Sequence, residues 1–297
     1  MTFPGFTNHD IEVADGVRLA AAVGGTGSPI VLLHGFPQTR LMWRHVAAEL
    51  VAEHTVICPD LRGYGASDKP RTGYAKRTMA ADIVELAKQL GHPRFALAGH
   101  DRGALVAFRA GLDHPAAVTH LACLDVLPTL DMWDALRGTA GAVGFHLYLM
   151  AQPAGLPEAM IAASADAFFG HFLDAWTLRP EALPAEVRAE YLAASRAAVP
   201  SIVADYRASA TVDVEHDRAD LAAGRTLAMP VTVLQQDWGA QLGYDAAALW
   251  RAWAPDLHHR TVSCGHFVAE EEPAMVAAEL RSLLRRDADQ REVSAAG

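Results

Sequence analysis

Residues 95–108 read FALAGHDRGALVAF. An apolar run ends at Gly99, a short turn of small residues follows, and apolar positions then recur at helical spacing. This order predicts a strand, a sharp turn and a helix, with Gly99, Gly103 and Ala104 leaving room for close backbone approach. Asp101 stands at the top of the turn. Such an elbow lifts its central side chain to the carboxyl end of a sheet, where the backbone N–H groups that open the helix face the same point. An aspartate here also reads as an ordinary helix N-cap, so the stretch by itself carries a structural and a chemical meaning.

The segments around it predict the sheet. IEVADGVRLAAAV (residues 11–23) reads as a hairpin turned at Asp15-Gly16, PIVLLHG (29–35) as a buried strand, 40–53 as a helix, TVICPD (55–60) as a strand and 78–91 as a helix. After the elbow, LACLDVL (121–127) is the sixth strand. From about Pro128 to Pro230 no strand-like run stands out, apolar positions keep helical spacing, and Pro153, Pro157, Pro180, Pro184 and Pro200 punctuate the segment. PVTVLQ (230–235) and HHRTVS (258–263) then resume the strands, with helices over 246–253 and 272–286. The alternation predicts an α/β fold with a mostly parallel eight-stranded sheet. Residues 1–127 and 229–297 would form the core, and 128–228 a helical cap inserted after the sixth strand.

The chain of 297 residues is 51% hydrophobic and 20% charged, a globular rather than disordered composition. Its net charge of −10 and lack of a basic stripe argue against nucleic-acid or anionic-membrane partners. Cys58, Cys123 and Cys264 have no CxxC spacing, so reduced thiols are expected rather than disulfides or zinc. The opening MTFPGFTNHD lacks the pattern of a signal peptide, and no run of 18 apolar residues occurs. A cytoplasmic protein is expected. No metal site is expected either: His258 and His259 are adjacent on a strand and point to opposite faces.

Two segments complete a site with Asp101 in the right chain order: Asp125 at the end of the sixth strand, and His266 in SCGHFVAEEEP after the last. An ionised carboxylate at Asp101 can attack an sp³ carbon without a base, displacing halide or opening an epoxide, and so form an ester. His266 would then activate the water that resolves the ester, with Asp125 orienting the imidazole. The backbone N–H groups of Phe36 and Arg102 are the expected oxyanion donors. His34 and Phe36 are expected to shape the floor of the site, and His100 to be a satisfied core histidine.

HGFPQT (34–39), DLRGYGASDKP (60–70), GHDRGA (99–104), LDVLPT (124–129), AQPAGLPE (151–158), DYRAS (205–209) and CGHF (264–267) resemble the fluoroacetate dehalogenases, a group of the α/β-hydrolase fold related to epoxide hydrolases. The resemblance runs from about Phe3 to Leu284. It implies a cofactor-free enzyme with nucleophile Asp101, base His266 and acid Asp125. Relatives that place the acid after the seventh strand point instead to Gly239, with Asp237 two residues earlier. The resemblance further implies that Arg102 binds a substrate carboxylate, that His146 and Tyr206 act on the leaving group, that Trp176 lines the pocket, and that the chain forms a homodimer.

Two positions depart from the pattern. Leu105 stands where a second carboxylate-binding arginine is expected, and Leu147 where a halide-binding tryptophan is expected. A charge-assisted hydrogen bond contributes roughly 1.5–3 kcal/mol, so losing one arginine weakens carboxylate binding, and losing the tryptophan counts most against fluoride release. The first expectation is therefore a dehalogenase of short 2-haloacids with weak C–F activity. The second is an epoxide hydrolase with His146 and Tyr206 as donors to the epoxide oxygen, favoured by the apolar Leu105 and Leu147. A non-catalytic binding protein on the same fold is the third. In each case the partner is a small molecule.

Overall fold

A computed structural model describes residues 3–237 and 242–295, with side chains described as far as Arg286. Eight strands form one sheet: β1 (Thr7–Glu12), β2 (Arg18–Gly24), β3 (Ser28–Leu33), β4 (His54–Pro59), β5 (Phe95–His100), β6 (Val118–Leu124), β7 (Val231–Gln235) and β8 (Leu257–Thr261). Their order is β1-β2-β4-β3-β5-β6-β7-β8. The pairings β1–β2 and β2–β4 are antiparallel, and those from β4 through β8 are parallel. Asp15 and Gly16 turn the first hairpin with φ of 60° and 69°, as their sequence predicts. β5 and β7 are buried along their whole length, which explains their unbroken apolar runs, since a parallel strand is covered on both faces.

The helices α1 (Arg44–Leu50), α2 (Lys76–Gln89) and α3 (Arg102–Asp113) follow β3, β4 and β5. The segment read as one helix over 40–53 begins instead with a 3-10 turn, Arg40–Trp43. Arg40 N donates to Asp60 Oδ1 at 2.8 Å, and Thr39 Oγ1 accepts from Leu41 N at 3.3 Å, so the regular helix starts only after this tether. α2 packs on α3, which lies on β5 and β6, while α1 packs on the last helix, Pro273–Ala295, which lies against β6 and β7.

Between β6 and β7 the chain is helical: α4 (Thr129–Ala135), α5 (Phe145–Met150), α6 (Leu156–Ala163), α7 (Ala165–Ala175), α8 (Ala185–Ala197), α9 (Val199–Ala208), a π turn over Ser209–Asp213, and α10 (Val214–Ala222). Pro157 and Pro200 lie in the first turns of α6 and α9, Pro184 is the N-cap residue of α8, and Pro180 opens a 3-10 turn. Proline is tolerated at these places because the first helical N–H groups have no intrahelical acceptor. Buried polar bonds tie this segment to the sheet domain. The Arg109 guanidinium of α3 reaches Asp217 and Asp220 of α10, Ser195 Oγ donates to Pro37 O at 3.0 Å, and Tyr191 OH and Arg44 share the Glu270 carboxylate. Cys58, Cys123 and Cys264 are buried and unpaired. No helix of the described residues is long and apolar enough to cross a membrane.

The elbow at Asp101 depends on missing side chains. A Cβ on Gly99 would lie 2.4 Å from Gly103 O, and one on Gly103 would lie 2.3 Å from His34 O and 2.7 Å from Leu33 O. Both clashes are with backbone, which cannot swing away. Gly103→Ala is therefore expected to destabilise the protein by roughly 1–3 kcal/mol through overpacking, measured as a lower urea midpoint with unchanged slope. An unaltered midpoint would contradict the close approach of α3 to β3.

Candidate active site

Asp101 joins β5 to α3 with φ 47° and ψ −117°, a conformation rare and strained for any residue but glycine. Its N–H donates to Leu124 O at 3.0 Å, and its carbonyl accepts from Ala104 N and Leu105 N at 3.0 and 3.2 Å. The carboxylate is aimed by a further bond, from Phe36 N to Oδ1 at 2.7 Å. Gly35 makes that bond possible, because a Cβ there would lie 2.6 Å from Asp101 Cβ.

Asp125 extends from the neighbouring strand end, also at positive φ (49°). Its N–H donates to Leu234 O at 2.8 Å. Oδ1 accepts from Gln236 N at 2.9 Å, and Oδ2 from Gln236 Nε2 at 2.7 Å. His266 Nδ1 lies 2.6 Å from the same Oδ2. This leaves His266 Nε2 buried, without a hydrogen-bond partner among the described residues and 3.9 Å from Asp101 Oδ2. The three residues expected from the sequence thus meet, with Asp125 and not Asp237 on the imidazole; Asp237 lines a separate depression. Gly239 lies outside the described residues.

The His266 ring is clamped. The His266 backbone N–H donates to Trp176 O at 2.8 Å, its backbone carbonyl accepts from His100 Nε2 at 2.8 Å, and the ring packs on Trp176 and His100 with centroids 4.8 and 4.6 Å away. The expectation of a satisfied core residue at His100 holds only in part: Nε2 is bonded, and Nδ1 is buried without a hydrogen-bond partner among the described residues. Its second role is to hold the His266 loop. His34 bonds Gly35 O through Nδ1 at 3.1 Å and accepts from Leu61 N at Nε2, also at 3.1 Å. Phe36 is buried behind the site, its ring 5.9 Å from His146 and 5.4 Å from Tyr206.

Asp101, Asp125 and His266 line a cavity of about 110 Å³, several times the space one water needs. Arg102, Leu105, His146, Leu147, Trp176 and Tyr206 line it too, whereas His34 and Phe36 do not border it. Met132, Leu136, Gln235, Leu242 and Tyr244 also contribute, and sequence reading missed them. A polar residue directly after a strand was the available signal for Gln236, the residue that holds Asp125. Among the described residues no group of three or more His, Cys, Asp or Glu is arranged to hold a metal ion.

Arg102 departs from its expected role. Its guanidinium is buried and taken up by Asp205 of α9: Nε donates to Oδ2 and Nη2 to Oδ1, both at 2.9 Å, and Nη2 also reaches Asp205 O at 3.1 Å. Nη1 reaches Ser209 Oγ at 3.4 Å. The fork expected to receive a substrate carboxylate already holds one of the protein's own. Burial pushes the Asp205 carboxyl up, but Arg102 and Lys76 together hold it below the usual carboxylate range, so it stays ionised and the pair is neutral overall.

Burial also acts on the two histidines. It pushes His146 down to about 3, helped by the nearby His266 and Arg102, so His146 is a neutral group at working pH. At His266 burial likewise lowers the pKa, but the bond to Asp125 and the charges of Asp125 and Asp101 outweigh it, and the net shift is upward. Tyr206 is kept protonated by burial and by the Asp101 charge. The site therefore pairs a fixed carboxylate with an imidazole poised to take a proton, facing two neutral donors on the helical segment. That arrangement suits attack by a carboxylate followed by hydrolysis of the ester it forms.

A family model described as alpha/beta hydrolase fold matches residues 28–273. A fluoroacetate dehalogenase of Burkholderia sp. is 37% identical over 291 residues, covering 95% of this chain and 95% of its own. A soluble epoxide hydrolase of Corynebacterium sp. strain C12 is 33% identical over 275 residues, covering 90% and 94%. The crystal structure of Cfl2 from Burkholderia cenocepacia superposes with a TM-score of 0.84 at 34% identity, covering 94% of this chain and 95% of that one. With this coverage, an eight-stranded sheet of the matching topology and an elbow built as the family requires, the chain belongs to the α/β hydrolase family.

Proposed function

We propose that this hydrolase opens neutral epoxides through a covalent ester on Asp101, and that the helices over 128–228 act as a cap supplying the donors His146 and Tyr206. The observation that carries this reading is the Arg102–Asp205 pair. The cavity already holds Asp101 and Asp125, and its cation is compensated by Asp205. A substrate carboxylate would enter beside two anions with no uncompensated cation among the described lining residues to meet it, whereas an uncharged epoxide pays no such penalty. Leu105, Leu127, Leu136, Leu147 and Val126 make the rest of the wall apolar, as a neutral substrate with a hydrocarbon substituent favours.

In the first half-reaction an Asp101 carboxylate oxygen attacks a ring carbon, the C–O bond breaks, and the departing oxygen takes the Tyr206 proton while His146 hydrogen-bonds to it. In the second, His266 Nε2 removes a proton from water, which attacks the ester carbonyl. The Phe36 and Arg102 N–H groups hold the oxyanion. Collapse releases the diol and Asp101, and the proton on His266 returns through solvent to Tyr206. Water is the only co-reactant.

Dehalogenation of short 2-haloacids through the same ester is the second reading, supported by the 37% identity to the Burkholderia fluoroacetate dehalogenase. It requires Arg102 to leave Asp205 or share it. A panel of styrene oxide, epoxyhexane, chloroacetate and bromoacetate separates the two: diol formation with inert haloacids is expected, and halide release with inert epoxides would reverse the assignment. In His266→Ala the intact protein should gain the mass of the substrate at Asp101, since the ester forms and cannot be resolved; no adduct with any substrate would contradict the covalent route.

The hydrolytic step has a pH signature. His266 must be neutral to accept a proton, so the rate of ester hydrolysis should fall on the acid side through the His266 pKa, which the bond and charge of Asp125 raise once Asp101 is esterified and uncharged. Asp125→Asn removes the group that raises it. The acid limb should then move to lower pH while the plateau falls by about two to four decades, read from single-turnover decay of the ester. A limb that stays in place would contradict the assignment of Asp125.

A further inference from the structure

We propose that the Arg102–Asp205 ion pair is a positioning device that sets the spacing between the nucleophile and the proton donor. This rests on the epoxide reading above. Asp101 directly precedes Arg102 and Asp205 directly precedes Tyr206, so the pair joins the two reactive residues through one peptide unit on each side. Asp205 and Arg102 expose 0% and 2% of their surface. Besides both arms of the Arg102 fork, the Asp205 carboxylate accepts from Tyr64 OH at 2.7 Å and from Lys76 Nζ. Four donors saturate a carboxylate, and they come from the loop after β4, from α2 and from α3. The residue before Tyr206 is thus fixed from three directions.

The Tyr206 ring is held by Arg102, Phe36 and His146. The Arg102 Cζ lies 4.1 Å from its ring centroid and Phe36 packs edge-on against it, whereas its hydroxyl makes no hydrogen bond among the described residues and borders the cavity. Tyr206 lies near the end of α9, which passes into the π turn three residues later, and π turns interrupt the regular ladder. The cation beneath the ring also opposes the effect of Asp101 on the phenol, which eases proton release as the alkoxide forms. A buried ion pair is a poor source of stability, since apolar replacements are often neutral or better. Its return here is geometry.

The two half-reactions make the inference testable. Ester formation needs Tyr206; ester hydrolysis needs His266, Asp125 and the backbone N–H groups of Phe36 and Arg102, none of which bonds to the Arg102 or Asp205 side chain. Rapid-quench mass spectrometry on one epoxide should show ester formation slowed roughly tenfold to a hundredfold in Asp205→Asn, with hydrolysis within about twofold of the parent protein. In a Tyr206→Phe background Asp205→Asn should add almost nothing, as residues acting through one another are non-additive. Arg102→Lys keeps the charge and loses the fork and the stacking; it should show the same selective slowing and serves if Asp205→Asn does not fold. Equal slowing of both half-reactions, or effects that multiply in the double variant, would overturn the positioning role. A parent protein that forms no ester from any epoxide would overturn the reaction itself, and the role with it.

Discussion

The structure depends on how closely α3 approaches the sheet at the end of β5. Gly99 and Gly103 let the helix backbone touch β3 and the turn, and Gly35 lets the loop after β3 reach the Asp101 carboxylate. With those contacts made, Asp101 has no room for ordinary backbone angles and is held at φ 47°. The strain is local and is offset by the bonds at Leu124, Ala104 and Leu105 and by burial of the surrounding core. A carboxylate so placed cannot turn away to cap its own helix, and the structure shows no side-chain cap from Asp101 to α3. Asp101 occupies the N-cap position of α3 without capping it through its side chain.

Electrostatics then divide the site in two. On the sheet side, Asp101 and Asp125 flank His266 and raise its proton affinity; on the helical side, His146 and Tyr206 are both neutral. A proton can be taken at one wall and given at the other. The Arg102–Asp205 pair lies where the two walls meet. It joins the residue before Tyr206 on α9 to the residue after Asp101 at the end of β5, so in the proposed reaction specificity and geometry rest on one contact.

Most of this was legible because it is local. The elbow, the aspartate at the end of β6 and the histidine after β8 each sit at a strand end, where alternation of apolar runs and turns marks the place. The substitutions at Leu105 and Leu147 were visible for the same reason, one residue against an expected pattern. What was not legible involves partners far apart in the chain. Nothing around GHDRGA shows that Arg102 meets Asp205, 103 positions later, and so its charge looked available. Gln236 escaped notice because its function arises only when β7 lies beside β6 and both its amide groups meet Asp125. The shortened α1 has a similar cause: helical spacing continues through 40–43, but the bond from Arg40 N to Asp60 overrides it.

The account stands on a covalent bond to Asp101. A single turnover with enzyme in excess over epoxide, run in ¹⁸O-water and analysed by mass spectrometry, tests it most directly. The oxygen added to the diol in that first turnover should come from the Asp101 carboxylate and carry no label, while the label should appear in the peptide that contains Asp101. Label in the first-turnover diol, with an unlabelled Asp101 peptide, would mean that water attacks the substrate directly and would contradict the mechanism.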